Sequence, residues 1–172
     1  MARALLITGT VGVGKTSVAD AAGDLLADAG VPHAVIDLDW LRRAWPAPPG
    51  DPFNGELTLR NLRAVTANFL DTGAELLVLA GVIEDRDERR RHEEALGVPL
   101  TVCRIGVALP EVRRRLVARH ANDPSGLDWH LERAGELREI LDAAGVEDFT
   151  VDGTHATVAQ VAASVLEGWR AA

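Results

Sequence analysis

Eight residues near the N-terminus, Gly9-Thr10-Val11-Gly12-Val13-Gly14-Lys15-Thr16, constrain this chain more than any other feature. They fit the spacing G-x-x-x-x-G-K-[ST] and stand between an apolar run of strand length, 4–8, and an amphipathic run of helix length, 15–29. Glycines at 9, 12 and 14 let the backbone curl so that successive N–H groups point inward, and the helix opening at Lys15 adds the positive end of its dipole. Strand, glycine-rich curl and helix in that order make a cradle for phosphate oxygens. The expected nucleotide contacts are Gly9, Thr10, Gly12, Val13, Gly14, Lys15, Thr16 and Ser17. Lys15 would reach the β- and γ-phosphates of ATP, and the Thr16 hydroxyl would ligate Mg²⁺. A ligand-free glycine turn is the plainer alternative, but it leaves the lysine unexplained. Of the 18 basic residues only Lys15 is not arginine, so a compact point charge stands at the one place where phosphate would lie.

The rest of the chain repeats the strand–helix rhythm. Apolar runs at 4–8, 33–37, 75–80, 101–107 and 148–151 read as strands covered on both faces. Helical patterns at 15–29, 56–72, 85–96, 111–120, 128–144 and 157–170 fill the intervals, four of them ending on a glycine suited to a left-handed cap. The expected fold is α/β, three layers around a five-stranded parallel sheet, with residues 1–172 as a single domain. A chain of 172 residues buries about 70% of its unfolded surface and needs no staple. Cys103 is the only cysteine, which excludes disulfide frameworks and C-x-x-C zinc sites. A net charge of −8 opposes general attraction to nucleic acid or anionic lipid, and no apolar run approaches the length of a membrane span. A cytoplasmic protein acting on a small molecule is therefore expected, with no nucleic-acid or membrane partner; its oligomeric state is left open.

Among nucleotide enzymes, GTPases read guanine with N-K-x-D, which a chain with one lysine, already in the phosphate loop, cannot contain. Motor ATPases and transporters end a buried strand with an acidic pair, whereas the third strand here ends Leu79-Ala80-Gly81. The remaining class is a small kinase that draws its carboxylates from elsewhere. Asp37-Leu38-Asp39 closes the second strand, at the sheet edge where strand C-termini gather beside the phosphate loop. Asp39 is expected to take the proton of an acceptor hydroxyl, and Asp37 to hold waters of Mg²⁺. The alternative for Asp39 is the N-cap of a short helix at 40–44.

These residues resemble known kinases. The loop GTVGVGKTS, the DLDWLR segment and the RNLRAV stretch are similar to adenylylsulfate kinase. VIDLDWLRRAWP and VDGTHATVAQVA are similar to chloramphenicol phosphotransferase, and gluconate and shikimate kinases share the loop and the D-x-D. The resemblance implies a nucleoside-monophosphate-kinase-like fold and Mg²⁺-ATP-dependent phosphorylation of a hydroxyl on a metabolite or antibiotic. It also implies Asp39 as base, Arg42 and Arg63 on the substrate side, Arg115 and Arg119 as a phosphate clamp before a lid at about 119–128, and Gly153 against adenine. Two positions depart: Trp40 replaces the Asn of adenylylsulfate kinase, and Ala80 stands where chloramphenicol phosphotransferase is acidic. A nucleoside or nucleotide kinase, and a regulatory module that binds nucleotide without transferring phosphate, are the competing functions.

The proline-rich segment 45–55 reads as a substrate loop, with Trp40, Trp45 and Phe53 able to stack on a ring or merely to anchor the loop. The run DRDERRRHEE at 85–94 reads as an exposed helix with a capping box at Asp85 and Glu88 and ion pairs Asp85/Arg89 and Asp87/Arg91. Cys103 reads as core, and the five histidines show no metal spacing.

Overall fold

In a computed structural model that describes residues 1–122 and 124–172, the strands β1 (Arg3–Thr8), β2 (His33–Asp37), β3 (Leu76–Ala80), β4 (Leu100–Gly106) and β5 (Phe149–Asp152) form one parallel sheet in the order β2-β3-β1-β4-β5. Alternation along each strand sends side chains to opposite faces. Leu5, Ile7, Val78, Cys103 and Ile105 enter one core, while Ala4, Leu6, Leu77, Leu79 and Val102 enter the other. The first core is covered by α1 (Lys15–Asp28), α5 (Leu109–Arg119), α6 (Leu127–Ala144) and α7 (Val158–Ala171), whose Trp169 is fully buried. The second is covered by α3 (Gly55–Asp71) and α4 (Arg86–Leu96), with a single helical turn, α2 (Leu38–Leu41), at its edge. The three-layer α/β fold and its parallel sheet are thus as the residue pattern predicts, and Cys103 lies in the core. Among the described residues no helix is long and apolar enough to cross a membrane, and no cluster of three His, Cys, Asp or Glu could hold a metal.

Two local expectations are corrected. The predicted pairs Asp85/Arg89 and Asp87/Arg91 do not form. Arg89 turns inward, donating to both carboxylate oxygens of Asp148 at 2.8 and 3.0 Å and to the Val146 carbonyl, which ties α4 to the strand entries beneath. Arg91 reaches Glu56 on α3, and Asp87 pairs with Arg90. Half of the predicted capping box is present: Asp85 accepts from the Glu88 N–H at 2.8 Å, but the Glu88 carboxylate accepts from Glu84 rather than from the cap residue. The run 85–94 is therefore exposed on one side only, because His92 on its inner face is buried. The lid expected at about 119–128 includes Asp123, which lies outside the described residues.

Candidate active site

β1 lies at the centre of the sheet, so the loop after it opens at the middle of the edge formed by the strand C-termini. Gly9 leaves β1 with φ of 149°, and a Cβ there would come within 2.8 Å of the Ile105 carbonyl oxygen and 2.9 Å of Val13 Cγ2. Gly12, with φ of 86°, would meet Leu116 of α5 at 3.0 Å. Only glycine tolerates both the backbone angle and the close approach. Val13 is buried in the core beneath the loop, and Thr10 Oγ1 donates to the Ala134 carbonyl at 2.6 Å. These two side chains anchor the loop from below, so what Gly9, Thr10 and Val13 offer a phosphate is backbone.

Lys15 Nζ donates to the carbonyls of Gly9 and Thr10, each at 3.0 Å. Withdrawal from water pulls the lysine pKa down to about 8, against the upward pull of Asp39 and Asp37, and Arg119 pushes it further down. Beside it Thr16 Oγ1 donates to Asp37 Oδ2 at 2.8 Å. A hydroxyl and a carboxylate oxygen are the hard donors Mg²⁺ takes, so this pair fits the ion.

The other Asp37 oxygen accepts from the Asp39 N–H at 2.8 Å and caps α2. The cap role weighed for Asp39 therefore belongs to Asp37, because α2 starts at Leu38 rather than at Trp40. The Asp39 side chain is left 76% exposed on the rim, 3.5 Å from Arg42 Nε. Arg42 is held in turn by its own backbone: Asn54 Nδ2 donates to the carbonyls of Arg42 and Ala44 at 2.9 and 3.0 Å, and Asn61 Nδ2 to that of Leu41 at 2.8 Å. Asp51 accepts from Gly55 N at 2.7 Å, so the segment 45–55 is braced against the start of α3.

Gly12, Gly14, Lys15, Thr16, Ser17, Asp37, Asp39, Arg42, Arg115 and Arg119 all border one cleft of about 1070 Å³. Pockets for single small ligands run from roughly 300 to 1000 Å³, so this one stands at the top of that range. Three predicted site residues sit differently. Arg63 is exposed on α3 away from the cleft, since it lies one step beyond the inner-face residues Leu59 and Leu62. Gly153 is buried; its N–H donates to the Gly106 carbonyl at 2.8 Å and its own carbonyl accepts from Arg115 at 2.9 Å, so its backbone donor is not open to adenine. Arg115 also reaches the Val13 carbonyl at 3.3 Å and Glu111 at 2.8 Å, which makes it a brace between the phosphate loop and the segment after β5. Only Arg119 of the expected clamp is exposed in the cleft. Of the three aromatics, Phe53 lines the mouth, Trp40 packs under the Arg43 guanidinium and Trp45 stands in solvent.

A protein of Aeropyrum pernix named probable adenylyl-sulfate kinase is 32% identical to this chain over 139 residues, 78% of this chain and 70% of the relative. The chain belongs to the adenylyl-sulfate kinase family. No protein-family model matches it. Solved structures repeat its fold: the APS kinase of Mycobacterium tuberculosis in complex with AMPPNP and APS (22% identity, TM-score 0.61, 98% of both chains), a gluconokinase from Sinorhizobium meliloti (21%, 0.63, 98% of this chain and 91% of that one) and the tunicamycin resistance protein of Deinococcus radiodurans (19%, 0.69, 98% and 96%). Membership makes the chain an ATP-dependent phosphotransferase acting on a small molecule, with ATP and Mg²⁺ as its cofactors.

For a member of this family, the cleft also contains residues outside the expected site set. Glu84, two residues past Val82 on the segment leaving β3, is bonded to Arg133 of α6 across the opening. Glu88, His92, Thr58 and Leu59 line the wall made by α3 and α4. Burial raises the Glu88 carboxyl above the usual range, partly offset by the hydrogen bond from the Glu84 N–H. A signal was present: 85, 88 and 92 follow the i, i+3, i+7 spacing of one helix face.

Proposed function

We propose that this chain transfers the γ-phosphoryl group of ATP to a hydroxyl of a small molecule bound between Asp39 and the α3–α4 wall, with Asp39 as general base. The new bond joins the acceptor oxygen to the γ-phosphorus, the bond to the ADP oxygen breaks, and the hydroxyl proton passes to the Asp39 carboxylate. Lys15 and the backbone of the phosphate loop hold the β- and γ-phosphates in line, and Arg119 offsets charge that develops on the transferred group. Thr16 and Asp37 would hold Mg²⁺, whose charge neutralises the phosphate oxygens when it is bound. Arg42 orients the acceptor beside Asp39. Residues 45–55 close the acceptor side as a substrate loop, 119–128 serve as the lid over ATP, and 1–172 work as one catalytic unit. The net charge of −8 supports work on a small molecule rather than on nucleic acid.

One observation carries the reading. Asp37 is occupied by Thr16 and by the α2 cap, while the neighbouring Asp39 keeps an uncapped carboxylate on the rim of the same cleft as Lys15. Asp39→Asn keeps the shape and removes the basicity. Its kcat should fall by roughly 10²–10⁴, the worth of a positioned base, with the Kd of Mg-ATP little changed. Full turnover in this variant would remove Asp39 from the mechanism and send the search for the base to Asp37, Glu84 and Asp85.

A further inference from the structure

Two aromatic side chains that the cleft does not use lie close together at the β2 edge of the sheet. Trp45 is 93% exposed and Trp40 68%, and neighbouring tryptophans left in water form the kind of apolar patch that marks an interaction face. β2 is the last strand on its side, so no further strand covers this edge. A second cavity of about 400 Å³ opens there, meeting the catalytic cleft only at Thr16 and Asp37. Its walls are apolar, chiefly Val35, Trp40, Leu41, Val65 and Phe69, and the exposed Asp20 of α1 borders it. Sites for small ligands begin near 300 Å³, so a hole of this size admits one indole.

Trp45 is a rigid projection rather than the tip of a loose loop. The Ala44 N–H before it donates to the Arg42 carbonyl at 2.8 Å, and Asn54 Nδ2 holds the carbonyls of Arg42 and Ala44. Seating an indole held this way costs little further ordering. Trp40 joins the projection to the cavity: it forms one wall and lies under Arg43, whose guanidinium carbon is 4.6 Å from the ring centroid, two residues before Trp45. Knob and hole therefore stand side by side. The charges beside them are opposite, Arg43 at the knob and Asp20 at the hole, and among the described residues neither has an ion-pair partner.

We propose that this face joins two copies of the chain in a two-fold dimer, with each Trp45 seated in the partner's cavity and each Arg43 paired with the partner's Asp20. A two-fold contact uses the same patch on both copies, so it needs a surface complementary to itself, and an adjacent knob and hole with opposite charges beside them meet that need. Two indoles and the walls they cover bury roughly 600–1000 Å². The exposed Pro46, Pro48 and Pro49 next to them extend the contact toward the roughly 1200 Å² at which specific interfaces begin.

Sedimentation velocity of the full chain from about 1 to about 200 μM tests the proposal, since association depends on concentration. Wild type should sediment as a dimer at the upper end of that range. Trp45→Ser should raise the dimer Kd at least about thirtyfold, the worth of a central tryptophan, with far-UV circular dichroism unchanged because the side chain stands in solvent. Arg43→Glu and Asp20→Arg each set like charges opposite one another and should weaken the dimer about tenfold, while the double variant, which exchanges the two charges, should recover most of that loss. A wild type that stays monomeric at the upper end, leaving the face to a partner of another kind, would overturn the proposal. So would a dimer that Trp45→Ser leaves intact, or a double variant that associates no better than the single ones.

Discussion

The two sides of the cleft are built by different means. Toward β4 and β5 the site is a contiguous stretch of eight residues whose ligands are backbone N–H groups, one ammonium and one hydroxyl, shaped by Gly9 and Gly12, which pack too closely to be anything else, and by Gly14, whose φ is 94°. Toward β2 and β3 it is a wall of side chains drawn from α2, the 45–55 segment, α3 and α4, with Arg133 reaching across from α6. A backbone site admits little variation and recurs across kinases of unlike acceptors. A side-chain wall can be rebuilt without disturbing the sheet, so acceptor specificity belongs there.

Variants on the first side should have the largest effects. Lys15→Ala deletes a preorganised charge while the loop backbone survives, so turnover should fall by on the order of 10²–10³ with far-UV circular dichroism unchanged. Near-normal turnover in a folded variant would break the assignment of this side to phosphate. Asp37→Asn keeps one oxygen for the α2 cap, turns its amide NH2 toward the Thr16 hydroxyl and removes the negative charge, so the Mg²⁺ concentration needed for half-maximal activity should rise about 10- to 100-fold, with kcat at saturating Mg²⁺ much less affected. An unchanged Mg²⁺ requirement would place the ion elsewhere.

A smaller effect comes from pH. The Lys15 pKa is about 8 in the folded chain against 10.5 for an exposed lysine, so between these values the unfolded chain binds more protons and the Lys15 contribution to stability rises with pH. Below about pH 8 both states carry the proton and the buried charge is a full cost. The Tm of wild type should therefore lie below that of Lys15→Met near pH 7, with the gap narrowing toward pH 10. Mg-ATP affinity runs the other way, weakening above about pH 8 as the ammonium is lost. A gap in Tm independent of pH would mean that Lys15 is not desolvated.

How much was legible in the sequence follows the same division. Gly9 to Thr16 could be read at once because spacing along the chain is the geometry, and the near-continuous apolar runs placed the sheet around it. Asp37 and Asp39 were found together, but the cap weighed as the alternative for Asp39 belongs to Asp37, since a shift of two residues in the start of α2 moves it. For Arg63 and Arg115 a motif gives the residue and not the direction: one faces solvent, the other is held by the carbonyls of Val13 and Gly153. His92, Glu84 and Arg133 acquire meaning only through contacts 49 residues apart or through burial of one face of α4, which a charged run conceals.

The central claim is that the two sides have separate tasks, and paired variants test it most directly. Arg115→Ala loosens the brace behind the phosphate loop, and Arg42→Met removes the guanidinium beside Asp39 on the acceptor wall while retaining bulk. Measuring the Kd of Mg-ATP and the KM of the acceptor for both, the account predicts that Arg115→Ala weakens ATP about tenfold and leaves the acceptor KM alone, while Arg42→Met raises the acceptor KM about tenfold and leaves ATP alone. Effects that fall on the same ligand in both variants, or that cross over, would contradict it.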